Sequence, residues 1–284
     1  MVLKNQKKYK IAVIGCGNIG TKICKSFIDK KVFSKKEIIA TGRNPKKLKA
    51  LKNKIGVDVT TDNQHAVKNS QIILICVKPQ DLKDVILRIK GSVSGKKIIV
   101  SVVAGVGIEF YNKLIPKKPV FRVIPSHLIE SLSGIIIYSK NNLCKIDTIE
   151  NIKRMFSPIC EYLIEIPDKK MDVFSIFSAG NPALFYYFYN SILESAIENG
   201  LKGREAKKMI FLLARATSQH LMETNDNFKK TISSICTPNG ITQEGVNNLN
   251  NMNLNKIIKT SIKKMIDRSK KISIRVKSSN NYKA

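Results

Sequence analysis

The sequence predicts an α/β protein in two parts: a parallel sheet covered by helices, then an all-α domain. Three observations carry this. Short apolar strands alternate with amphipathic helices through residue 166, a glycine cluster follows the first strand, and strand patterning ends after Pro167. A chain of 284 residues is long enough for two modest domains with cores of their own. The division falls between residues 1–167 and 168–284.

Residues 11–14 read as a buried strand, after which Ile19, Ile23 and Phe27 recur at helical spacing, the stripe of a helix facing a sheet. Residues 38–41 form the second strand. Asn44-Pro45 then reads as a helix N-cap with proline at the first helical position, and Leu48, Leu51 and Ile55 share one face of that helix. Residues 57–60, 72–77 and 98–103 continue the strands, with Leu82, Val85, Ile86 and Ile89 marking a helix between the last two. Residues 120–124, 134–138 and 162–166 complete the set. Strands apolar on both faces belong to a parallel sheet with helices on either side.

From residue 171 to 271 the pattern is helical only. Residues 177–198 are apolar nearly all round, whereas 206–223 and 254–271 are amphipathic. A helix apolar on every side has to be covered on every side, and in so short a segment a partner subunit is the natural cover. Residues 273–284 are polar and basic and read as a frayed end.

Fifty Lys and Arg against 21 Asp and Glu give a net charge of +29. There is no Trp, and no aromatic-interleaved basic strand or zinc-finger pattern, so the lysines read as solvated helix faces rather than a specific nucleic-acid surface. The same field attracts an anionic cofactor. Six cysteines show no CxxC and no metal-ligand spacing with the three histidines, which implies a reducing, cytoplasmic setting and no metal site. The longest apolar run, residues 183–189, is too short to span a bilayer, and the basic first residues lead into no signal-peptide pattern.

Gly15-Cys16-Gly17-Asn18-Ile19-Gly20 spells GxGxxG between the first strand and the first helix. In that setting Gly15 permits the tight turn, Gly17 lets backbone approach a pyrophosphate, and Gly20 lets helix and strand pack closely. The N–H groups of Asn18, Ile19 and Gly20 open the helix, where an anion is favoured. The first part is therefore a Rossmann-type dinucleotide-binding domain. The second strand ends in Thr41-Gly42-Arg43-Asn44, with Lys46 and Lys47 next, where an NAD site would carry a carboxylate. A guanidinium can pair with a 2′-phosphate through two hydrogen bonds. The cofactor expected is NADP(H), with NAD(H) weaker.

At this point the chain resembles the pyrroline-5-carboxylate reductase family in six ordered segments. Ile11-Ala-Val-Ile-Gly-Cys-Gly-Asn-Ile-Gly20 resembles the opening fingerprint, Val77-Lys78-Pro79-Gln80 the V-K-P loop beside the nicotinamide, and Ser101-Val-Val-Ala104-Gly105 the S-x-x-A-G strand end. Arg122-Val-Ile-Pro125 is similar to the start of R-x-M-P-N-T-P, Ser178-Ala-Gly-Asn-Pro182-Ala183 to S-G-S-G-P-A, and Cys236-Thr-Pro-Asn-Gly-Ile-Thr242 to S-P-G-G-x-T. The sequence departs from these patterns at Ser126-His127-Leu128, Ala179, Asn181, Leu184, Thr237 and Asn239.

The resemblance implies reduction of 1-pyrroline-5-carboxylate to L-proline by NADPH. A cyclic imine is already electrophilic once protonated, so such an enzyme chiefly orients its reactants. By resemblance, Thr242 is the catalytic contact to the imine nitrogen. Gly240 and its neighbours offer backbone N–H groups to the carboxylate, Thr237 caps or contacts the same group, and Lys78 faces the crevice. Cofactor contacts implied are Gly15, Gly17, Asn18, Ile19, Gly20, Arg43, Asn44, Val77, Lys78, Pro79 and Ala104. For Thr242 a helix-capping role stands beside the chemical one. His127 reads as a loop residue rather than a catalyst, and His65 and His220 as ordinary helix residues. Partners implied are a small imine substrate and a second copy of the chain, as a homodimer or a higher oligomer of dimers. Two alternatives stay open: a reductase of another imine or a keto acid on the same fold, and a reductase-like protein that binds nucleotide without turnover. The 6-phosphogluconate and β-hydroxyacid dehydrogenases share the opening motif, yet Asn181 with Lys207 or Lys208 does not make their lysine pattern.

Overall fold

The computed structural model describes residues 8–279. They fall into two compact units, one running to Gly180 and resuming at Ile266, the other Asn181–Met265.

In the first unit eight strands make one sheet: β1 (Tyr9–Ile14), β2 (Ile38–Thr41), β3 (Asp58–Thr60), β4 (Ser70–Ile75), β5 (Ile98–Ser101), β6 (Val120–Pro125), β7 (Ile135–Lys140) and β8 (Tyr162–Glu165). Their order is β3-β2-β1-β4-β5-β6-β7-β8. The first six run parallel. The sheet is not parallel throughout, as the sequence pattern had suggested: β7 is antiparallel to β6, with Val123 opposite Tyr138, and β8 is parallel to β7. The reason lies in the connection. Between β6 and β7 the chain has only a short 3₁₀ turn, His127–Ser131, whereas a parallel return needs a crossover of about a dozen residues or more.

Six helices cover the sheet: α1 (Asn18–Asp29), α2 (Pro45–Ile55), α3 (Asn63–Lys68), α4 (Leu82–Ile89), α5 (Ile108–Leu114) and α6 (Ile146–Phe156). The strand period of two sorts them. Ile11 and Val13 of β1 face Ile23 and Phe27 of α1, Leu51 of α2 and Phe156 of α6. Ala12 and Ile14 face Val67 of α3, Ile86 of α4 and Tyr111 of α5. Residues 11–14 are fully buried because each side of β1 has its own helical layer. A short α7 (Met171–Ser175) follows, then a π-helical turn, Ile176–Gly180.

The second unit is helical: α8 (Pro182–Glu198), α9 (Gly203–Thr224), α10 (Phe228–Ile235), α11 (Ile241–Asn251) and the start of α12 (Leu254–Ser279). The apolar helix expected from residue 177 begins at Pro182 instead, since proline lacks the N–H that an interior helical position requires. No residue of α8 is buried within one chain. At the other end, the stretch from 273 expected to fray is helical to Ser279, and α12 returns to the first unit from Ile266. Residues 280–284 lie outside the described part. Among the described residues no helix is long and apolar enough to cross a membrane.

Candidate active site

Strand order reverses between β1 and β4, and in open parallel sheets the crevice beyond the carboxyl ends at such a point takes the ligand. Here four strand ends are laced together by backbone bonds. Cys16 N donates to Thr41 O at 2.6 Å, Cys76 N to Ile14 O at 2.8 Å, and Val102 N to Ile75 O at 3.0 Å. The buried Thr41 hydroxyl also accepts from Gly15 N at 3.1 Å. Gly15–Gly20, Arg43–Asn44, Val77–Pro79 and Ala104 are thereby gathered on one edge of the sheet.

The glycine loop has the sterics its sequence implies. Gly15 sits at φ +79°, and a side chain there would collide with Val77, whose Cα is 3.2 Å from the Cβ position. At Gly20 a Cβ would touch Cys76 Cβ at 3.3 Å and Val13 Cγ1 at 3.4 Å, the close packing of helix on strand. Gly17 differs: a Cβ there meets only the Gly15 carbonyl, at 4.0 Å. No side chain caps the start of α1. The helix start is thus free of a side-chain cap, and the exposed Gly17 leaves room beside its first N–H groups that fits a pyrophosphate.

Arg43 stands 86% exposed beyond β2, with Nη2 3.2 Å from Asp81 Oδ2. Sequence reading missed Asp81, because the contact joins the ends of β2 and β4, separated in the chain but adjacent to β1 on its two sides. Asn44 caps α2, accepting from Lys47 N at 3.1 Å, which leaves its amide nitrogen to donate outward. Lys46 and Lys47 are exposed beside it. Lys78, exposed, opens the turn over Pro79 that Asp81 N closes onto Lys78 O at 3.0 Å.

Beneath the loop three thiols lie close together, and their ionisation is uneven. A hydrogen bond from the Cys24 thiol holds the Cys16 thiol below its ordinary value. The same contact, then burial, pushes Cys24 up, and burial raises Cys76.

Ser126 and His127 follow β6. Ser126 is buried and accepts from Leu128 N at 3.2 Å, whereas His127 is exposed on the 3₁₀ turn. His65 and His220 are exposed on α3 and α9.

Thr237, Gly240 and Thr242 lie in the second unit, on the turn from α10 to α11. Gly240 N donates to Thr237 O at 2.9 Å, and Asn239 takes φ +59°. Gly240 is required for closeness: a Cβ would lie 2.9 Å from that carbonyl and clash with the Thr237 hydroxyl. The cap of α11 is Gly240, with no side-chain bond, and Thr242 stands one residue inside the helix. The capping role weighed for Thr242 is thus not the one it has. Thr242 is exposed, and its hydroxyl has no partner among the described residues.

A doubly covered sheet with this strand order, an open glycine loop at its reversal and a separate helical unit define a dinucleotide-dependent oxidoreductase of the Rossmann type. Comparison with known proteins narrows the class. Residues 10–105 match the family model described as NADP oxidoreductase, coenzyme F420-dependent. Residues 168–272 match the one for pyrroline-5-carboxylate reductase dimerisation. Pyrroline-5-carboxylate reductase of Staphylococcus saprophyticus is 24% identical over 93% of this chain and 98% of its own length. That of Methanosarcina acetivorans is 26% identical over 95% and 99%. Pyrroline-5-carboxylate reductase 1 of Dictyostelium discoideum is 28% identical over 84% of this chain, which spans 45% of that longer protein. Among solved structures, Plasmodium falciparum pyrroline carboxylate reductase with NADP bound shares the fold, with a TM-score of 0.86 at 19% identity, covering 95% of this chain and 100% of that one. The chain belongs to the pyrroline-5-carboxylate reductase family.

Proposed function

We propose that this chain reduces 1-pyrroline-5-carboxylate to L-proline with NADPH, and that residues 1–167 hold the cofactor while 168–284 supply substrate contacts and the dimer interface. The observation that carries the reading is the edge where the open start of α1 and Arg43 stand on neighbouring strands. Bound there, the cofactor supplies the hydride.

The chain's own residues do the rest. The N–H groups of Asn18, Ile19 and Gly20 bind the pyrophosphate, and Gly15 and Gly17 keep the approach clear. Arg43 turns from Asp81 to the 2′-phosphate, with Asn44 donating beside it, and NAD(H) binds more weakly for lack of that contact. Val77, Lys78, Pro79 and Ala104 flank the nicotinamide end. The Thr242 hydroxyl accepts from the protonated imine nitrogen, holding its proton in place. The Gly240 N–H, the Thr237 hydroxyl and Lys78 orient the carboxylate so that one face of the ring is offered.

The exposed apolar faces of α8 to α11 are covered by a second copy, as a homodimer or an oligomer of dimers. All six cysteines are free thiols, which suits a reducing cytoplasm. The test is NADPH oxidation by the purified protein with 1-pyrroline-5-carboxylate against a panel of other cyclic imines and keto acids, with proline identified by mass. Preference for another substrate moves the assignment along the same fold. NADPH binding with no turnover of any of them makes the chain a binding protein instead.

A further inference from the structure

We propose that the last turns of α12 are a positioning element for the cofactor's reactive end: Ile272 and Ser273 fix the Ala104–Gly105 turn, directly at Gly105 and through the half-buried carboxylates of Asp172 and Asp168 on the buried Arg122. This rests on the reading of Ala104 as a nicotinamide-side contact.

The turn follows β5 and carries Ala104 exposed at its apex. Its near end is held by Ser101, whose hydroxyl bonds the buried Tyr111 hydroxyl at 2.5 Å and accepts from Val103 N at 3.2 Å. Its far end is held by Asp168, whose Oδ2 accepts from Ile108 N, the first residue of α5, at 2.9 Å. In the middle, Gly105 adopts φ +74°, and a Cβ there would stand 3.2 Å from Ile272 Cγ2 and 3.4 Å from Ser273 Oγ. α12 therefore forms the wall against which the turn closes.

The same helix reaches the turn a second way. Ser273 donates to Asp172 Oδ2 at 2.7 Å. The other oxygen of Asp172 takes Arg122 Nη2, while Arg122 Nη1 lies 3.2 Å from Asp168 Oδ1. Arg122 is only 2% exposed, in mid-strand of β6. One guanidinium thus locks together Asp168, which caps the turn, and Asp172, which Ser273 orients. Burying an ion pair adds little stability by itself, but it fixes the groups it joins; here both Nη groups hold a carboxylate, while the buried Nε has no partner among the described residues. A chain with 21 acidic residues against 50 basic ones places two of those carboxylates on one buried cation. The arrangement serves placement, and small misplacements near a reacting centre are costly in rate.

The test uses the full-length protein with Ser273→Ala, Ser273→Thr and Ile272→Ala. The first removes the donor to Asp172, the second keeps a hydroxyl, and the third removes the Cγ2 methyl that lies at Gly105 without touching the polar cluster. Three quantities are read: kcat with NADPH, the Kd of NADPH, and the Kd of 2′,5′-ADP, which has the phosphate end of the cofactor but no nicotinamide. Ser273→Ala should lower kcat roughly five- to fiftyfold, Ile272→Ala should lower it less, and Ser273→Thr should restore it. The Kd of 2′,5′-ADP should stay within about twofold of wild type, because a merely loosened fold would weaken both ends alike. Wild-type kcat in both Ser273→Ala and Ile272→Ala overturns the proposal, and so does parallel loss of 2′,5′-ADP affinity. A wild-type protein that binds 2′,5′-ADP and NADPH equally well, with no nicotinamide contribution, overturns the placement of Ala104 on which the proposal rests.

Discussion

Arg43 is an ordinary surface cation by exposure, and the proposed reading makes it a selective one by position. Its pair with Asp81 is solvent-exposed and worth at most about 1 kcal/mol, so a phosphate dianion displaces it easily. Arg43→Asp should raise the KM for NADPH roughly ten- to a hundredfold, the cost of one charge-assisted contact of about 1.5–3 kcal/mol, and leave that for NADH nearly unchanged. An unaltered NADPH to NADH ratio sinks the assignment. Thr242→Val keeps shape and branching but removes the hydroxyl. Turnover should fall by about one to two orders of magnitude, the scale of a lost hydrogen bond to a charged group. NADPH affinity should hold. Because Gly240 and not Thr242 caps α11, the melting temperature should not move; a lowered melting temperature with normal turnover would give Thr242 a structural role only. A third expectation concerns Cys16, whose thiol is held below its ordinary value while burial raises that of Cys160 to about 11. Just above neutral pH, limited alkylation followed by peptide mapping should modify Cys16 ahead of Cys24, Cys76, Cys144 and Cys160, and NADPH should slow it. Labelling of Cys16 that NADPH leaves unchanged would separate the loop from the cofactor. At this scale the glycines were legible in the sequence because their reason is local sterics. Asp81, Asp168 and Asp172 were not, since each acquires its role from a residue far away in the chain, although two acids four apart after Pro167 in so basic a sequence were a usable sign.

The strands were legible as elements because all but β3, which is Asp-Val-Thr, are apolar runs bounded by turn residues, and all eight form. Direction was less legible. Whether β7 runs with or against β6 depends on the length of the link, here a stretch whose only regular piece is one 3₁₀ turn. The helices α10 and α11 escaped separate notice because they are short and flank a turn whose chemistry drew attention first. α8 was legible for the opposite reason: a helix apolar all round has to be covered, and here it is bare within one chain. Tyr187 is 77% exposed and Phe188 51%. Burying each such ring against a partner is worth about 1.5–3 kcal/mol, so the cover contributes materially to stability. Tyr187→Asp or Phe188→Asp should split the dimer or unfold the chain, because an unpaired charge would then enter a dry interface. Sedimentation of the wild type as a folded monomer at micromolar concentration would contradict the assignment of this face.

For the whole molecule, the net charge of +29 excluded little about the fold and suggested much about encounter. The lysines are spread through every segment, so no single patch identifies a nucleic acid, yet their summed field reaches any anion near the surface. NADPH is such an anion. On the proposed reading it approaches the edge where Arg43, Lys46, Lys47 and Lys78 all stand exposed. Steering of this kind acts on association, because it is the approach that is driven by distant charges, while the bound complex is held by near ones. Raising ionic strength from about 20 mM to about 300 mM shortens the Debye length from roughly 20 Å to 6 Å. The association rate of NADPH in stopped-flow fluorescence should therefore fall several-fold, more than its dissociation rate changes. kcat at saturating cofactor should stay near its low-salt value, since positioning within the site involves contacts too close for added salt to screen. Nicotinamide riboside in its reduced, uncharged form serves as the control and should show no salt dependence. If NADPH binds at the same rate at both ionic strengths, the surface lysines serve solubility alone, and Arg43 with the open end of α1 captures the cofactor unaided.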